Sequence, residues 1–258
     1  MPRMPNLPHA RNFDLQRRAW PPPQGNPCRR PWRVPVGLDS VHGYGGYGDA
    51  FGRREPSLQS SPEHVNPEFE NQMGLFELRQ STALLAMDLQ RDFLQPDGRL
   101  TISQGQISGL IEAMNRAIDR GARTGLAVIY TFNAYDLLDP SNLLRNFAAI
   151  KGTQGSLLDP RILQVSPSTV LIKRVPDAFS NPRLATLLAD RRVKRLIIGG
   201  VYADACVTAT TRTALARGLD VTLLRDGVGA ANDSARDRAC ADLVRRGAKL
   251  ATVQSALG

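Results

Sequence analysis

Three side chains that can do chemistry each stand at the end of an apolar, strand-like run of the chain. Asp88 closes the first such run, Lys173 closes the third, and Cys206 follows the fourth, at the start of a helix-like stretch. A thiol at a helix N-terminus faces unpaired backbone N–H groups and the positive end of the helix dipole, which favour the thiolate and can hold an oxyanion. Cys206 is therefore predicted to act as a nucleophile.

The predicted proton acceptor for this thiol is a carboxylate. Thiol nucleophiles commonly rely on a histidine, yet the last histidine of the chain is His64, which precedes all the strand-like runs. Ligands of an open parallel sheet gather at the carboxyl ends of the strands, so Asp88, Lys173 and Cys206 are expected to meet there as base, cation and nucleophile. Each also has a plain structural alternative: a turn cap, a solvated strand end and a small core residue, respectively.

The elements that must position these residues alternate along the chain. Short apolar runs predict buried strands, and apolar residues that recur at spacings of three and four positions predict helices. Such alternation predicts a parallel sheet with helices on both faces, which is a doubly wound α/β fold. The predicted strands are residues 82–88, 126–132, 169–173, 195–201, 220–225 and 249–253, and the predicted helices are residues 107–118, 182–190, 205–217 and 234–246.

Composition excludes several classes of protein. The chain has 258 residues and a net charge of +9, but its basic residues are interleaved with acids, as in residues 236–246, so solvated helix faces are favoured over nucleic-acid binding. No apolar run is long enough to cross a bilayer, and the first residues do not resemble a secretory signal, so a cytoplasmic protein is expected. Structural roles are expected for Cys28 and Cys240, since the three cysteines form neither a disulfide framework nor a metal motif.

The chain is predicted to divide into an extension, residues 1–76, and a folded domain, residues 77–258. The extension carries twelve of the 18 prolines and a Gly/Tyr-rich stretch at residues 43–48. It buries too little apolar surface to offset its ordering entropy, and it is expected to be largely disordered or loosely packed. A targeting arm, an oligomer-binding arm and an over-extended start codon are the alternatives.

Four segments of the domain carry recognisable motifs in a fixed order. They are Thr82-Ala-Leu-Leu-Ala-Met-Asp88-Leu-Gln90-Arg-Asp-Phe93, Lys151-Gly-Thr-Gln-Gly155, Leu171-Ile-Lys173-Arg-Val-Pro-Asp-Ala-Phe179 and Gly199-Gly-Val-Tyr-Ala-Asp-Ala-Cys206-Val-Thr-Ala-Thr210. Together they resemble the isochorismatase-like cysteine hydrolases, over about residues 78–253.

The resemblance implies a six-stranded sheet of order 3-2-1-4-5-6 and an Asp, Lys, Cys triad, here Asp88, Lys173 and Cys206. It also implies a cis peptide between Val201 and Tyr202, which would direct the Tyr202 N–H, with that of Cys206, at the substrate oxygen. In this strand order the first and third strands lie two spacings apart, ~10 Å, near the limit of a lysine side chain. The triad is therefore expected to require the loop after the third strand to curl inward.

Departures from the family pattern narrow the expected chemistry. Nicotinamidase members carry an Asp-x-His metal motif after the second strand, where this chain reads Thr131-Phe-Asn-Ala-Tyr-Asp136, so no metal or other cofactor is expected. Isochorismatases that cleave a vinyl ether lack the nucleophilic cysteine. The expected enzyme is a metal-free amidohydrolase that cleaves a small amide, N-carbamoyl or ureido C–N bond through a thioester. An isochorismatase-type ether hydrolase and an inactive scaffold or binding member are the alternatives.

The substrate pocket is expected beside the strand ends. Residues 136–160 form a long connection, expected to be a lid or an oligomer contact. The expected partners are a small amide or ureide substrate and further copies of the chain, as a homodimer or homotetramer, with no nucleic acid and no membrane. The candidate substrate-binding residues, for which ordinary core or subunit contact is the alternative, are Gln90, Phe93, Phe132, Asn133, Tyr135, Phe179 and Tyr202.

Overall fold

Six parallel strands form one sheet, and their order confirms the predicted doubly wound α/β fold. A computed structural model describes residues 81–258, in which the order is β3-β2-β1-β4-β5-β6. The winding direction reverses between β1 and β4, so the carboxyl ends of these two strands border the crevice where such folds bind ligands. The strands are β1 (Thr82–Met87), β2 (Ala127–Asn133), β3 (Thr169–Lys173), β4 (Arg195–Val201), β5 (Asp220–Gly229) and β6 (Lys249–Ala251). The predicted extension, residues 1–76 with Cys28, lies outside the described residues.

The helices alternate with the strands. No helix between residues 81 and 258 is long and apolar enough to span a membrane. A π-helical turn (Ala203–Val207) precedes the fourth helix, so the helix predicted from residue 205 begins with this wider turn. The helices are α1 (Arg91–Leu94), α2 (Gln104–Arg123), α3 (Pro182–Asp190), α4 (Thr208–Ala216), α5 (Asp233–Arg245) and α6 (Val253–Leu257), and short 3-10 turns lie at Pro140–Leu143, Gln154–Ser156 and Ala178–Ser180.

Apolar side chains cover both faces of the sheet. The predicted stripe of α2 is buried against one face, together with α6. Helices α3, α4 and α5 bury their apolar residues against the other face, where Cys240 packs into the core at 7% exposure. All six residues of the central strand β1 are buried, which explains why its sequence shows no polar alternation. Two covered faces leave the strand ends as the place where polar groups can meet.

The close approach of β4 to β1 depends on glycine. Gly200 has a φ of 127°, and a Cβ built on it would lie 2.0 Å from the carbonyl oxygen of Met87. Any other residue would push the two strands apart at their carboxyl ends. Gly200 thereby sets the distance between the end of β1, which carries Asp88, and the turn that carries Cys206.

Candidate active site

The three residues predicted to do chemistry meet at one buried point. Lys173 Nζ lies 2.9 Å from Asp88 Oδ2 and 3.3 Å from Cys206 Sγ. Asp88 is fully buried, and Lys173 and Cys206 are only 3% and 7% exposed. A carboxylate, an ammonium and a thiol are thus held together at the carboxyl ends of β1, β3 and β4, away from bulk water.

The lysine reaches the site by its side chain alone. Lys173 is still in regular register on β3, paired with Asn133 of β2, and β2 separates it from β1. Its side chain therefore extends across the end of β2 to Asp88. The expectation that the loop after β3 must curl inward is wrong, because Lys173 is still part of β3 and its side chain, the 2.9 Å contact and the Asp88 side chain together cover the two strand spacings.

The backbone of Asp88 turns its carboxylate toward the lysine. Asp88 has a φ of 56°, a left-handed conformation that aspartate tolerates better than most residues. Its N–H donates to the Thr131 carbonyl over 2.8 Å, and the Thr131 hydroxyl donates to Asp88 Oδ1 over 3.3 Å. Thr131 was not among the residues predicted for the site, although it lies two positions before Asn133 on β2 and so points to the same face.

Burial keeps the Cys206 thiol protonated. Desolvation, followed by the negative charge of Asp88, raises the pKa of Cys206 to about 12, while Lys173 opposes this rise. Burial alone would lower the pKa of Lys173, but attraction to Asp88 and Cys206 raises it above its usual value. Burial beside a carboxylate thus works against the thiolate that the helix start was expected to favour.

A thiolate titration is expected to show this directly. At about pH 10 an ordinary thiol with a pKa of 9.0 is about nine-tenths ionised, whereas a thiol with a pKa of about 12 is about one per cent ionised. The difference in ultraviolet thiolate absorbance between the wild-type protein and a Cys206→Ala variant should therefore stay near zero at that pH. A Cys206-dependent thiolate signal below pH 9.0 would contradict this assignment.

Comparison with known proteins identifies the family. A family model described as the isochorismatase domain matches residues 82–255. The chain belongs to the isochorismatase family. It is 27% identical to a probable inactive nicotinamidase of Arabidopsis thaliana, in a match that covers 67% of this chain and 93% of that protein. It is 26% identical to the ureidoacrylate amidohydrolase RutB of Azorhizobium caulinodans, in a match that covers 52% of this chain and 69% of that protein.

Solved structures of the isochorismatase family share the fold. The structure of an isochorismatase-like hydrolase from Alkaliphilus metalliredigens matches with a TM-score of 0.63 and 23% identity. The match covers 69% of this chain and 97% of that one. This match shows the shared fold, and the family model that matches residues 82–255 confirms the resemblance found in the four motifs.

In this isochorismatase-family protein, two of the candidate pocket residues, Asn133 and Gln90, bond to the triad or to each other. Lys173 Nζ donates to Asn133 Oδ1 over 2.7 Å, and Asn133 Nδ2 lies 3.8 Å from Cys206 Sγ. The side chain of Gln90 bonds the backbone N–H and carbonyl of Asn133, each over 2.8 Å, and also the carbonyl of Ser156. Both side chains are already committed to protein partners.

Three of the aromatic candidates are held by contacts with other protein groups. Phe93 and Tyr202 pack edge to face with ring centroids 5.9 Å apart, and the Tyr202 hydroxyl donates to the Leu100 carbonyl. The guanidinium of Arg145 stacks 3.8 Å from the centre of the Tyr135 ring. Burial, then the charge of Cys206, raises the pKa of Tyr135 to about 12, so its phenol is neutral near neutral pH. The peptide bond between Val201 and Tyr202 is cis.

The remaining aromatic candidates lie in the two cores. Phe132 packs with the cluster beneath α2, on the opposite face of the sheet from Thr131 and Asn133. Phe179 packs in the cluster that contains Cys206, with the guanidinium of Arg217 4.9 Å from its ring centre. Neither ring contributes a polar group to the triad.

The residues after β2 do not fit a metal site. Among residues 81–258 no group of three or more His, Cys, Asp or Glu side chains could hold a metal ion. Asn133 and Tyr135 occupy the stretch where nicotinamidase members carry their motif, and the Asn133 amide oxygen is taken by Lys173.

The long connection after β2 folds back on the strand ends. Tyr135 forms a bridge with Ile150, and Gln90 forms one with Leu158. The buried carboxylate of Asp92 accepts from the N–H of Ala149. The segment of residues 136–160 is thus ordered against the wall of the site. Its exposed leucines are Leu137, Leu138, Leu143, Leu144 and Leu157.

Proposed function

We propose that this protein is a cysteine-dependent amidohydrolase that cleaves a small amide, N-carbamoyl or ureido C–N bond through a thioester. One observation carries the proposal: the Cys206 thiol lies 3.3 Å from the ammonium of Lys173, which is itself ion-paired with Asp88. The described residues contain no histidine, so Asp88 is the base within reach. The similarity to an enzyme named as a ureidoacrylate amidohydrolase supports the same bond class.

The first step joins proton transfer to attack. Asp88 takes the proton of the Cys206 thiol as the sulfur electron pair attacks the carbonyl carbon. The π electrons of the C=O bond move to its oxygen, which the backbone N–H groups of Tyr202 and Cys206 stabilise. Lys173 stays protonated and keeps its positive charge beside the sulfur, which offsets the cost of burying the anion.

The second step breaks the C–N bond. The oxyanion re-forms its C=O bond, the nitrogen leaves with the bonding pair, and Asp88 returns its proton to that nitrogen. Ammonia or an amine departs and a thioester remains on Cys206. Asp88, now a carboxylate again and paired with Lys173, is ready to act as a base a second time.

Hydrolysis of the thioester completes the cycle. Asp88 accepts a proton from water as the water oxygen attacks the thioester carbon. The C–S bond breaks, the sulfur takes its pair, and the proton held by Asp88 returns to Cys206. The product is a carboxylic or carbamic acid, and the site regains the protonated thiol of the resting structure.

The burial of the thiol favours a small substrate. Cys206 is 7% exposed, so only a compact carbonyl group reaches its sulfur without rearrangement of the wall. An open groove of about 400 Å³ lies beside Lys173 and is bordered by Val175, Ser180 and Pro182. Substrate specificity is assigned in part to the residues that border this groove.

A screen for ammonia release tests the proposal. Small primary amides, N-carbamoyl amino acids and ureido acids are incubated with the full-length wild-type protein and with Cys206→Ala. We expect release from at least one compound by the wild type alone. Ammonia release that survives in Cys206→Ala would show C–N cleavage without the thiol and would contradict the thioester route. A folded protein that acts on no member of the panel would overturn the proposal in favour of a binding role.

A further inference from the structure

We infer that Asn133 is a fourth catalytic group, whose side-chain amide fixes the ammonium of Lys173 and donates a hydrogen bond to the thiolate of Cys206. The sequence predicted Asn133 as a substrate-binding residue, so this assigns it a different role. The catalytic role of Asn133 rests on the proposed function. The stabilisation of the Cys206 thiolate by Asn133 does not, and it can be tested without a substrate.

The orientation of the Asn133 amide follows from its neighbours. A lysine ammonium has three donors and no acceptor, so the atom 2.7 Å from Lys173 Nζ must be the amide oxygen. The amide N–H₂ then faces Cys206 Sγ at 3.8 Å. A 180° flip would place two donors against each other at Lys173. The amide therefore has a single stable orientation, with its donor toward the sulfur.

Gln90 holds the backbone of Asn133 in a two-point clamp. Its Oε1 accepts from the Asn133 N–H and its Nε2 donates to the Asn133 carbonyl, each over 2.8 Å. Gln90 is fully buried and Asn133 is 2% exposed, so water does not compete for these bonds. Gln90 acts through Asn133 and is a positioning residue. Together they place the Asn133 amide before the reaction starts, as electrostatic preorganisation requires.

The amide matters most when the sulfur is charged. As Asp88 takes the proton, the carboxylate loses its charge and the thiolate gains one. The new anion then has two donors within reach, Lys173 Nζ and Asn133 Nδ2. A hydrogen bond to a charged group is stronger than one to a neutral group, so Asn133 lowers the energy of the thiolate more than that of the thiol. Losing the amide should make the thiolate rarer at every pH.

Alkylation by iodoacetamide tests this without any substrate. Only the thiolate reacts, so the rate at a fixed pH reports the thiolate fraction. Peptide mass spectrometry follows Cys206 and Cys240 separately in the same full-length protein, and Cys240 serves as the internal reference. The variants are Asn133→Ala and Asn133→Asp, with Asn115→Asp as the matched control. Asn115 also bridges backbone groups by its amide, to Arg161 and Leu163, but it lies on the exposed part of α2.

We expect Asn133→Ala to slow the alkylation of Cys206 by about tenfold relative to Cys240, as the loss of a hydrogen bond to a charged acceptor implies. Asn133→Asp should slow it further, because a carboxylate there would pair with Lys173 and repel the thiolate. Asn115→Asp should leave the ratio unchanged. If Asn133→Asp does not fold, Asn133→Ala decides the matter, since it only shortens the side chain.

An unchanged Cys206 to Cys240 ratio in folded Asn133→Ala would overturn the inference. A substrate-binding role would instead raise KM and leave the alkylation profile where it is. Failure of the proposed function is distinguishable from this, because it appears in the ammonia screen and not in the alkylation rates.

Discussion

Replacing Lys173 by methionine is expected to lower the free energy of unfolding by about 3–5 kcal/mol, the cost of leaving a buried charge without its partner. Asp88 is fully buried and its ion pair with Lys173 is 2.9 Å long. Methionine matches the length of the lysine stem, so the effect reports the lost charge more than a cavity. Urea unfolding of the two proteins measures it. Lys194→Met is the control, because Lys194 is exposed and should change stability by about 0.5 kcal/mol at most.

A double-mutant cycle isolates the pair. Asp88→Asn alone leaves the ammonium of Lys173 buried and unpaired, whereas Asp88→Asn with Lys173→Met leaves no charge in either position. The double variant should therefore be less destabilised than the sum of the two single variants. Simple additivity would show that the two side chains do not interact, and the geometry assigned to the site would be wrong.

Replacing Cys206 by alanine is expected to lower kcat/KM by at least about 10⁴-fold on any compound that the wild type hydrolyses, as removal of a covalent nucleophile does in other hydrolases. Cys240→Ala provides a matched control, since both cysteines are buried at 7% exposure in the same core cluster. Cys240→Ala should keep kcat/KM within about twofold, and both variants should stay folded because the change is small. Equal losses in the two variants would point to a packing effect and contradict the role of Cys206.

The strands and helices follow from the sequence because their patterns are local. The buried run that became β1 folds as predicted to within one residue, and the apolar stripe of residues 107–118 lies within a longer helix, α2 (Gln104–Arg123). The strand order came from the family resemblance, and the structure confirms it. The place of Asp88, Lys173 and Cys206 at one edge follows from that order together with the rule for strand ends.

The electrostatics of the site could not be read from the sequence. A helix start next to Cys206 suggested a thiolate, but the pKa of Cys206 depends on how deeply the sulfur is buried and on which group faces it. Both depend on contacts between residues that are far apart in the sequence. Cys206 is buried in the core cluster beneath α3, α4 and α5, and Asp88 faces the sulfur only because β4 packs directly beside β1.

The roles of Asn133 and Gln90 depend on register. Asn133 stands directly beside Lys173 in the pairing of β2 with β3, and no sequence pattern sets that alignment. Gln90 is fully buried and bonds the chain 43 residues away, which makes it a structural clamp. In the sequence both looked like polar residues near a pocket, and only the contacts distinguish holding the site from binding the substrate.

Covalent capture of the reaction intermediate tests the central claim most directly. A compound found in the ammonia screen is mixed with the full-length protein, the reaction is quenched with acid within a turnover, and the peptides are weighed. The account predicts an acyl group on the peptide that carries Cys206, together with a burst of about one ammonia per protein. Acylation of any other residue, or turnover that Cys206→Ala retains undiminished, would contradict it.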